Sequence, residues 1–209
     1  GGMEYPMATL LKGAGEGVVI HEWMHSWYQM ILGTNESLYP WMDEGFTSFA
    51  ESNVQNFLHE SKDSFPHLGA YNAYIALSKS DFNEPLTTHS DHYSSNSAYS
   101  TNAYSKGEVF MEQLGYIVGA PVRDSILLKY FQTWKFKHPT PTDLKAHLQQ
   151  HSKADLEYWF QLLDKKGPLQ PEPKRGWKWQ NIFNWSAPAN LAIKNQITVM
   201  PLIGYNRAD

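Results

Sequence analysis

The sequence of 209 residues contains no cysteine, which excludes disulfide bridges and thiol chemistry but leaves the cellular compartment open. It has no apolar run as long as a membrane helix and no dense stripe of Lys and Arg, so neither a membrane segment nor a nucleic acid partner is expected. The net charge of -4 is too small to identify a partner. What the chain does have is 42% apolar residues and eight Trp, as is typical of a globular protein with a substantial core.

Two histidines four residues apart give the strongest chemical signal in the chain. His21, Glu22 and His25 form the pattern HExxH, and residues at this spacing lie on one face of an α-helix. A chance match on an amphipathic helix is the alternative. The segment 17–33 is mostly apolar, however, and histidines buried in such a helix need partners. We therefore predict that His21 and His25 bind a metal ion, and that Glu22 takes a proton from a water molecule on that metal.

Glu44 follows His25 after eighteen intervening residues, within the segment WMDEGF at positions 41–46. A carboxylate near the start of a helix is also favoured by the helix dipole without any metal. Together with the upstream pattern, Glu44 is the expected third ligand, because two imidazoles and a carboxylate form a common catalytic zinc site with one open position. One Zn²⁺ is the predicted cofactor, although cobalt and manganese occupy similar sites.

The pattern HExxH-x18-E, with its glutamate inside W-x-x-E-G-F, resembles the gluzincin zinc metallopeptidases of the aminopeptidase N group, which includes leukotriene hydrolase. The resemblance implies an α+β fold, mainly α: a thermolysin-like zincin catalytic domain with a small edge-strand sheet and a helical lobe. It also implies zinc bound by His21, His25 and Glu44, with Glu22 as the general base.

The first five residues resemble a second motif of this family, G-x-M-E-N, with Tyr5 in place of the usual Asn. The resemblance implies that Gly2 and Met3 form an edge strand that pairs with the substrate backbone. Glu4 would then bind the free amino terminus of the substrate through a charge-assisted hydrogen bond. Without the other motifs, the same residues would be read as an ordinary strand.

The sequence YSKG at positions 104–107 resembles the Y-x-K-G motif of the family. The resemblance implies that the Tyr104 hydroxyl stabilises the oxyanion formed during hydrolysis, a suitable role for a phenol that stays neutral at pH 7. A tyrosine buried in the core is the alternative. Tyr99 matches another tyrosine that lines the substrate pocket in some relatives.

Three more residues have open interpretations. Glu51 lies two helical turns after Glu44, so it either accepts a hydrogen bond from a zinc-binding imidazole or is a solvated surface residue. His89 and His92 have the spacing of a further metal site, but in a polar loop they are more simply solvated histidines.

Local patterns predict the order of the secondary structure elements. We expect an edge strand over residues 2–11, a polar loop over 87–102, and a capping box at Ser152 and Asp155 that starts the last helix. The expected helices span residues 16–32, 43–58, 71–77, 106–119, 121–136, 141–150 and 156–163.

The composition changes after residue 164, where a segment rich in Pro, Gly and Lys begins. We expect a catalytic domain over residues 1–164, then a linker and strand-rich extension over 165–209 that reads as the start of a further domain. Because Gly1 opens directly on a family motif, the natural N terminus is expected upstream. The bacterial cell envelope or periplasm and the cytoplasm both remain open as locations.

The predicted function is zinc-dependent removal of N-terminal amino acids from peptides that have a free amino terminus. A thermolysin-like endopeptidase would share the zinc chemistry but would need no amine anchor. A zinc-bound module that only binds peptides is a third reading, and a catalytically weak fragment that needs other domains of a longer chain is a fourth.

Overall fold

Helices make up most of the chain in this computed structural model, which describes residues 1–59 and 65–166. Within these residues, short connections join nine α-helices and one two-stranded sheet. None of the described helices is both long and apolar enough to cross a membrane. The elements are β1 (Gly2–Met3), β2 (Leu10–Leu11), α1 (Glu16–Trp27), α2 (Gln29–Leu32), α3 (Phe46–Leu58), α4 (Leu68–Ser78), α5 (Asn96–Tyr99), α6 (Gly107–Val118), α7 (Ala120–Trp134), α8 (Pro141–Ser152) and α9 (Glu157–Gln161).

The predicted strand over residues 2–11 is wrong, because the chain folds back on itself to form a hairpin. Gly2 pairs with Leu11 and Met3 with Leu10 in an antiparallel register. Pro6 lies in the connection, where it cannot donate to a ladder and favours a turn. The next residue, Met7, has a left-handed φ of 67°. The hairpin therefore ends the strand after Met3, beside the helix that carries HExxH.

The predicted helix over residues 16–32 is present as two helices. The break falls at Tyr28 (φ -120°, ψ -70°), and α2 ends at Gly33, whose φ of 72° is the left-handed value expected of a terminating glycine. Helix α1 buries its two histidines and exposes Trp23 (58%) and Trp27 (71%). A helix that buries polar groups and exposes tryptophans must satisfy those polar groups inside the fold.

Two π-helical segments carry residues of the predicted site. One, Trp41–Gly45, runs directly into α3, and the other, Ser100–Lys106, runs directly into α6. Such wide turns are rare and are found mostly at functional sites. They pack on each other through their ends, where a Cβ on either Gly45 or Gly107 would lie 2.8 Å from the Cα of the other.

The predicted loop over residues 87–102 is largely helical. A 3₁₀ turn (Ser90–His92) is followed by α5 and then by the second π-helix. Ser95 begins α5 as an N-cap, since its Oγ accepts a hydrogen bond from Ala98 N at 3.1 Å. The Ser- and Asn-rich composition predicts a loop, but Ser95 begins a helix within it.

The helical lobe packs around α6, whose Phe110 stacks on Trp159 with 3.6 Å between ring centroids. Helix α8 begins with a capping box between Thr140 and Asp143. The capping box predicted at Ser152 and Asp155 is wrong, because both side chains accept hydrogen bonds from amides only two residues ahead, in local turns. The predicted extension of 165–209 lies almost entirely outside the described residues.

The Gly45–Gly107 contact predicts a specific loss of stability. Gly107→Ala would push a methyl group into backbone, so we expect the free energy of unfolding to fall by about 1–3 kcal/mol. Gly69→Ala is the matched control in α4, because its Cβ would meet no atom of the described residues within 4 Å and alanine favours helix by about 0.5–1 kcal/mol. Urea unfolding of both variants measures the difference. Equal stability of the two would contradict the close contact.

Candidate active site

The three predicted metal ligands come together between α1 and the first π-helix. The Nε2 atoms of His21 and His25 lie 3.1 and 3.2 Å from Glu44 Oε2. All three residues are buried, and their ligand atoms lie within 4.8 Å of one another. The helical spacing of the histidines and the wide turn that carries Glu44 thus place two imidazoles and one carboxylate around a single point.

Two further carboxylates hold the histidine rings from behind. His21 Nδ1 lies 3.0 Å from Glu51 Oε2, and His25 Nδ1 lies 2.6 Å from Asp43 Oδ1. Ionised carboxylates only accept hydrogen bonds, so both Nδ1 atoms donate and the Nε2 atoms point to the common centre. Of the two readings of Glu51, the structure therefore favours the hydrogen bond to a ligand imidazole.

Asp43 was not singled out from the sequence. It sits next to Glu44, at the first position of the helix predicted over residues 43–58. Its neighbours Trp41, Met42 and Phe46 are apolar, so a buried carboxylate among them was the available signal, since such a group needs a partner. Burial raises the pKa of Asp43 to about 6, even though its hydrogen bond with His25 acts in the opposite direction.

The electrostatics of the cluster favour a cation. Burial alone would lower the pKa of His21, but the hydrogen bonds to Glu44 and Glu51 outweigh it and raise the pKa to about 9. Burial is likewise outweighed at His25, where Asp43 and Glu44 raise the pKa to about 10. At Glu44, burial opposes ionisation, yet the two histidines lower the pKa to about 2.

The donor set fits a zinc ion. Within the described part of the chain, His25 Nε2 is buried without a hydrogen-bond partner, because its approach to Glu44 is not aligned for one. Two imidazole nitrogens and one carboxylate oxygen are a zinc set that leaves a fourth position open. Carboxylates behind both imidazoles are the usual surroundings of zinc-binding histidines.

Glu22 lies beside this centre as an uncommitted carboxylate. It is buried, and its Oε2 has no hydrogen-bond partner among the residues that the structure describes. Burial raises its pKa, the positive charge of His21 acts against this, and Glu4 adds to it. The β-hairpin closes over it, since a Cβ on Gly2 would lie 2.6 Å from Glu22 Cγ. Only glycine at position 2 lets the strand approach this closely.

Tyr104 reaches the centre from the second π-helix. Its hydroxyl donates to Glu44 Oε1 at 2.6 Å, and its ring stacks on His21 with 5.6 Å between centroids. Tyr99 packs edge-on against Tyr104 at 6.0 Å. Burial, followed by the negative charge of Glu44, raises the pKa of Tyr104, so this phenol stays protonated at neutral pH.

Glu4 approaches the same cluster of residues from the end of β1. It is buried, and a carboxylate oxygen of Glu4 lies within 4.8 Å of ligand atoms of His25 and Asp43. This second group shares His25 with the first, so it forms an extension of the same site. Met3, by contrast, is 37% exposed. On the hairpin side, the site is therefore lined by the Glu4 carboxylate.

His89 and His92 lie apart from these groups. Their rings are 4.9 Å apart, and His89 Nδ1 accepts a hydrogen bond from Asp91 N at 3.1 Å. Of the groups of three potential ligands found in residues 1–59 and 65–166, neither includes these two histidines.

Comparison with known proteins identifies the family. Residues 8–162 match the family described as "Peptidase family M1 domain". The chain belongs to peptidase family M1. The matched range includes the three predicted metal ligands and Tyr104, while Gly2, Met3 and Glu4 precede it.

This M1 chain corresponds to only part of the length of the proteins it resembles. It is 29% identical over 172 residues to leucine aminopeptidase 2 of Phaeosphaeria nodorum, a match that covers 75% of this chain and 27% of that protein. It is also 29% identical over 167 residues to a leukotriene A-4 hydrolase homolog of Botryotinia fuckeliana, covering 74% and 26%. The chain therefore spans about a quarter of these curated relatives.

Solved structures of M1 enzymes share the fold. The M1 zinc metallopeptidase from Deinococcus radiodurans aligns with a TM-score of 0.65 at 22% identity, covering 84% of this chain and 39% of that one. A mutant of it bound to a Tyr-Ser-Ala substrate aligns equally well, over 82% of this chain. The expected zincin-like, mainly helical fold is confirmed.

The raised pKa values of the two histidines predict how zinc affinity depends on pH. With values of about 9 and 10, both imidazoles are protonated at pH 7 without metal and must lose those protons to bind it. We expect zinc binding at pH 7 to release about two protons and its affinity to rise by up to about a hundredfold per pH unit below pH 9. Calorimetry in buffers of different ionisation enthalpy measures the proton count.

The folding stability of the metal-free chain should fall over the pH range in which zinc affinity rises. A raised histidine pKa stabilises the folded state fully below the unfolded value of about 6.5, and this contribution is lost as the pH rises through 9 and 10. Chelator-treated protein should therefore lose unfolding free energy between pH 7 and 10. Release of no protons on zinc binding at pH 7 would contradict both expectations.

Proposed function

We propose that this chain carries the catalytic centre of a zinc-dependent aminopeptidase that removes N-terminal residues from peptides. The observation that carries the proposal is the meeting of His21, His25 and Glu44 beside the uncommitted carboxylate of Glu22. Membership of family M1 and the names of relatives such as leucine aminopeptidase 2 support it.

The residues divide the chemistry among them. One zinc ion held by His21, His25 and Glu44 would supply a Lewis acid that polarises the scissile carbonyl and acidifies water. Glu22, with one oxygen free and its pKa raised by burial, takes the proton of the attacking water and later delivers it to the leaving amine. A buried carboxylate with a raised pKa is suited to both transfers.

Tyr104 is the proposed donor to the oxyanion. Its hydroxyl donates to Glu44 Oε1 at 2.6 Å, so its proton points toward the proposed metal ligands. As negative charge develops on the carbonyl oxygen, that oxygen becomes a second acceptor within the cavity and competes for the hydroxyl. Tyr99, packed against Tyr104, is the proposed wall of the substrate pocket.

The hairpin is the proposed peptide-binding edge. A substrate strand would pair with the backbone of Gly2 and Met3 by β-augmentation, close to Glu22 because position 2 has no side chain. Glu4, buried at the end of this strand, would bind the substrate ammonium. A negative group at this point stops the peptide, which favours an aminopeptidase over an endopeptidase.

The alternatives differ in what they require of the same residues. A module that only binds peptides has no chemical need for Glu22 and Tyr104, which supports an active enzyme. Because the chain spans about a quarter of its curated relatives, we propose that other domains of a longer protein complete the pocket. Residues 1–164 remain the proposed catalytic domain.

Glu22→Gln should retain zinc but lose turnover by about 10²–10⁴-fold, because the amide cannot accept the proton of the water. Metal analysis and the hydrolysis of aminoacyl anilides measure the two effects separately. Glu16→Gln is the control on the same helix, since Glu16 is half-exposed and pairs with His59, away from the metal site. Near-normal turnover in Glu22→Gln would sink the mechanism.

Glu4→Gln should lower kcat/KM for substrates with a free amino terminus by roughly 10–100-fold, because a hydrogen bond to a charged group contributes about 1.5–3 kcal/mol. N-acetylated peptides, whose cleavage needs no ammonium contact, should be affected far less. Glu36→Gln, at an exposed position, is the control. Equal losses on free and blocked peptides would count against the amine anchor.

A further inference from the structure

Lys106 is a fully buried lysine that the proposed mechanism does not use. Its side chain is 0% exposed. Its ammonium donates to Asn83 Oδ1 at 3.0 Å, to the carbonyl of Glu84 at 2.6 Å and to the carbonyl of Lys165 at 3.3 Å. These acceptors belong to two segments of the chain that are more than eighty residues apart.

The ammonium has no direct carboxylate partner among these contacts. The Glu84 carboxylate, whose charge attracts the ammonium, instead accepts hydrogen bonds from Ser94 N and Ser94 Oγ at 3.0 and 2.6 Å. Burial lowers the pKa of Lys106 to about 8 against the attraction of Glu84. A buried charge held only by neutral oxygens costs stability that an apolar side chain of the same length would not. Lys106 is therefore poorly explained as a stabilising core residue.

Its position explains it better. Lys106 is the last residue of the π-helix Ser100–Lys106, two residues after Tyr104. Asn102, on the same π-helix, donates to the carbonyl of Phe82 at 2.9 Å and accepts from Glu84 N at 3.1 Å. Side chains from one π-helix thus fasten the segment 82–84 to it.

The opposite side of this π-helix faces the metal site. There Tyr104 donates to Glu44, and Gly107 packs against Gly45. The segment held by Lys106 is itself fixed, because Leu86 N donates to the carbonyl of Leu163 at 2.8 Å. The π-helix Ser100–Lys106 is thus held between Glu44 and Gly45 on one side and the contacts of Lys106 on the other.

We propose that Lys106 is a positioning residue that holds the Tyr104 hydroxyl at the metal site by tying the π-helix to residues 83, 84 and 165. The placement of Tyr104 follows from the contacts alone. Its effect on turnover rests on the proposed function, in which Tyr104 donates to the oxyanion.

The first experiment measures placement without activity. 3-Fluorotyrosine is introduced at position 104 of the metal-free chain, and its ¹⁹F resonance is compared in the parent, Lys106→Met and Lys145→Met. Lys145 is the control because it pairs with Glu157 in the helical lobe. We expect a shifted or exchange-broadened resonance in Lys106→Met alone. A resonance unchanged from the parent would overturn the proposal.

The second experiment measures catalysis in the zinc-loaded protein. Lys106→Met should lower kcat by up to about a hundredfold, as for a misplaced catalytic group, with KM and zinc content unchanged. In a double variant with Tyr104→Phe, Lys106→Met should cause no further loss of kcat. Both substitutions remove the same hydrogen-bond donor, the Tyr104 hydroxyl, from the oxyanion. Fully additive losses would show that Lys106 acts elsewhere and overturn the proposal.

The outcomes separate this proposal from the proposed function. If Tyr104→Phe leaves kcat unchanged, the oxyanion role of Tyr104 fails, while the ¹⁹F result still decides the role of Lys106. If Lys106→Met does not fold, Lys106→Gln is used in the same measurements, since it keeps a donor without the charge. A parent-like resonance in that variant, with the hydrogen bonds to residues 83 and 84 lost in its structure, would also overturn the proposal.

Discussion

The hydrogen bond between His25 Nδ1 and Asp43 Oδ1, 2.6 Å long, is the interaction on which the arrangement of the site depends. It joins the helix that carries two of the proposed metal ligands to the turn that carries the third, and it is almost completely buried. Because it fixes the His25 ring, it directs Nε2 toward Glu44 and leaves that nitrogen for a metal. The other contacts of the site, from Glu51 and Tyr104, add to a geometry that this pair already sets.

How much the sequence reveals depends on whether a feature is local. The shared face of His21 and His25 follows from helical periodicity, Glu22 follows from the HExxH pattern, and the structure buries all three. Glu44 could be selected because a zinc site with two imidazoles commonly has a carboxylate as its third ligand, and because its segment resembles a family pattern. Asp43 was missed since its role exists only once α1 and the π-helix pack together. The family match begins at residue 8, so the roles of the first residues rest on the resemblance and the geometry.

The errors have local physical causes as well. Pro6 turns a predicted strand into a hairpin, and Tyr28 divides a predicted helix. Ser95 begins a helix in a stretch whose composition suggested a loop. At Ser152, short-range hydrogen bonds replace the predicted capping box. In each case the chain adopts a competing backbone arrangement that is available to the same residues.

The contact between Gly45 and Gly107 has a consequence for how this chain can change. The two residues lie sixty-two positions apart, yet each occupies the space that a side chain on the other would need. One adjoins the proposed metal ligand Glu44, and the other closes the turn that bears Tyr104. Neither position can therefore be substituted independently of the other. A library that diversifies only one of them would contain mostly variants with a displaced active site, unless the facing backbone is redesigned with it.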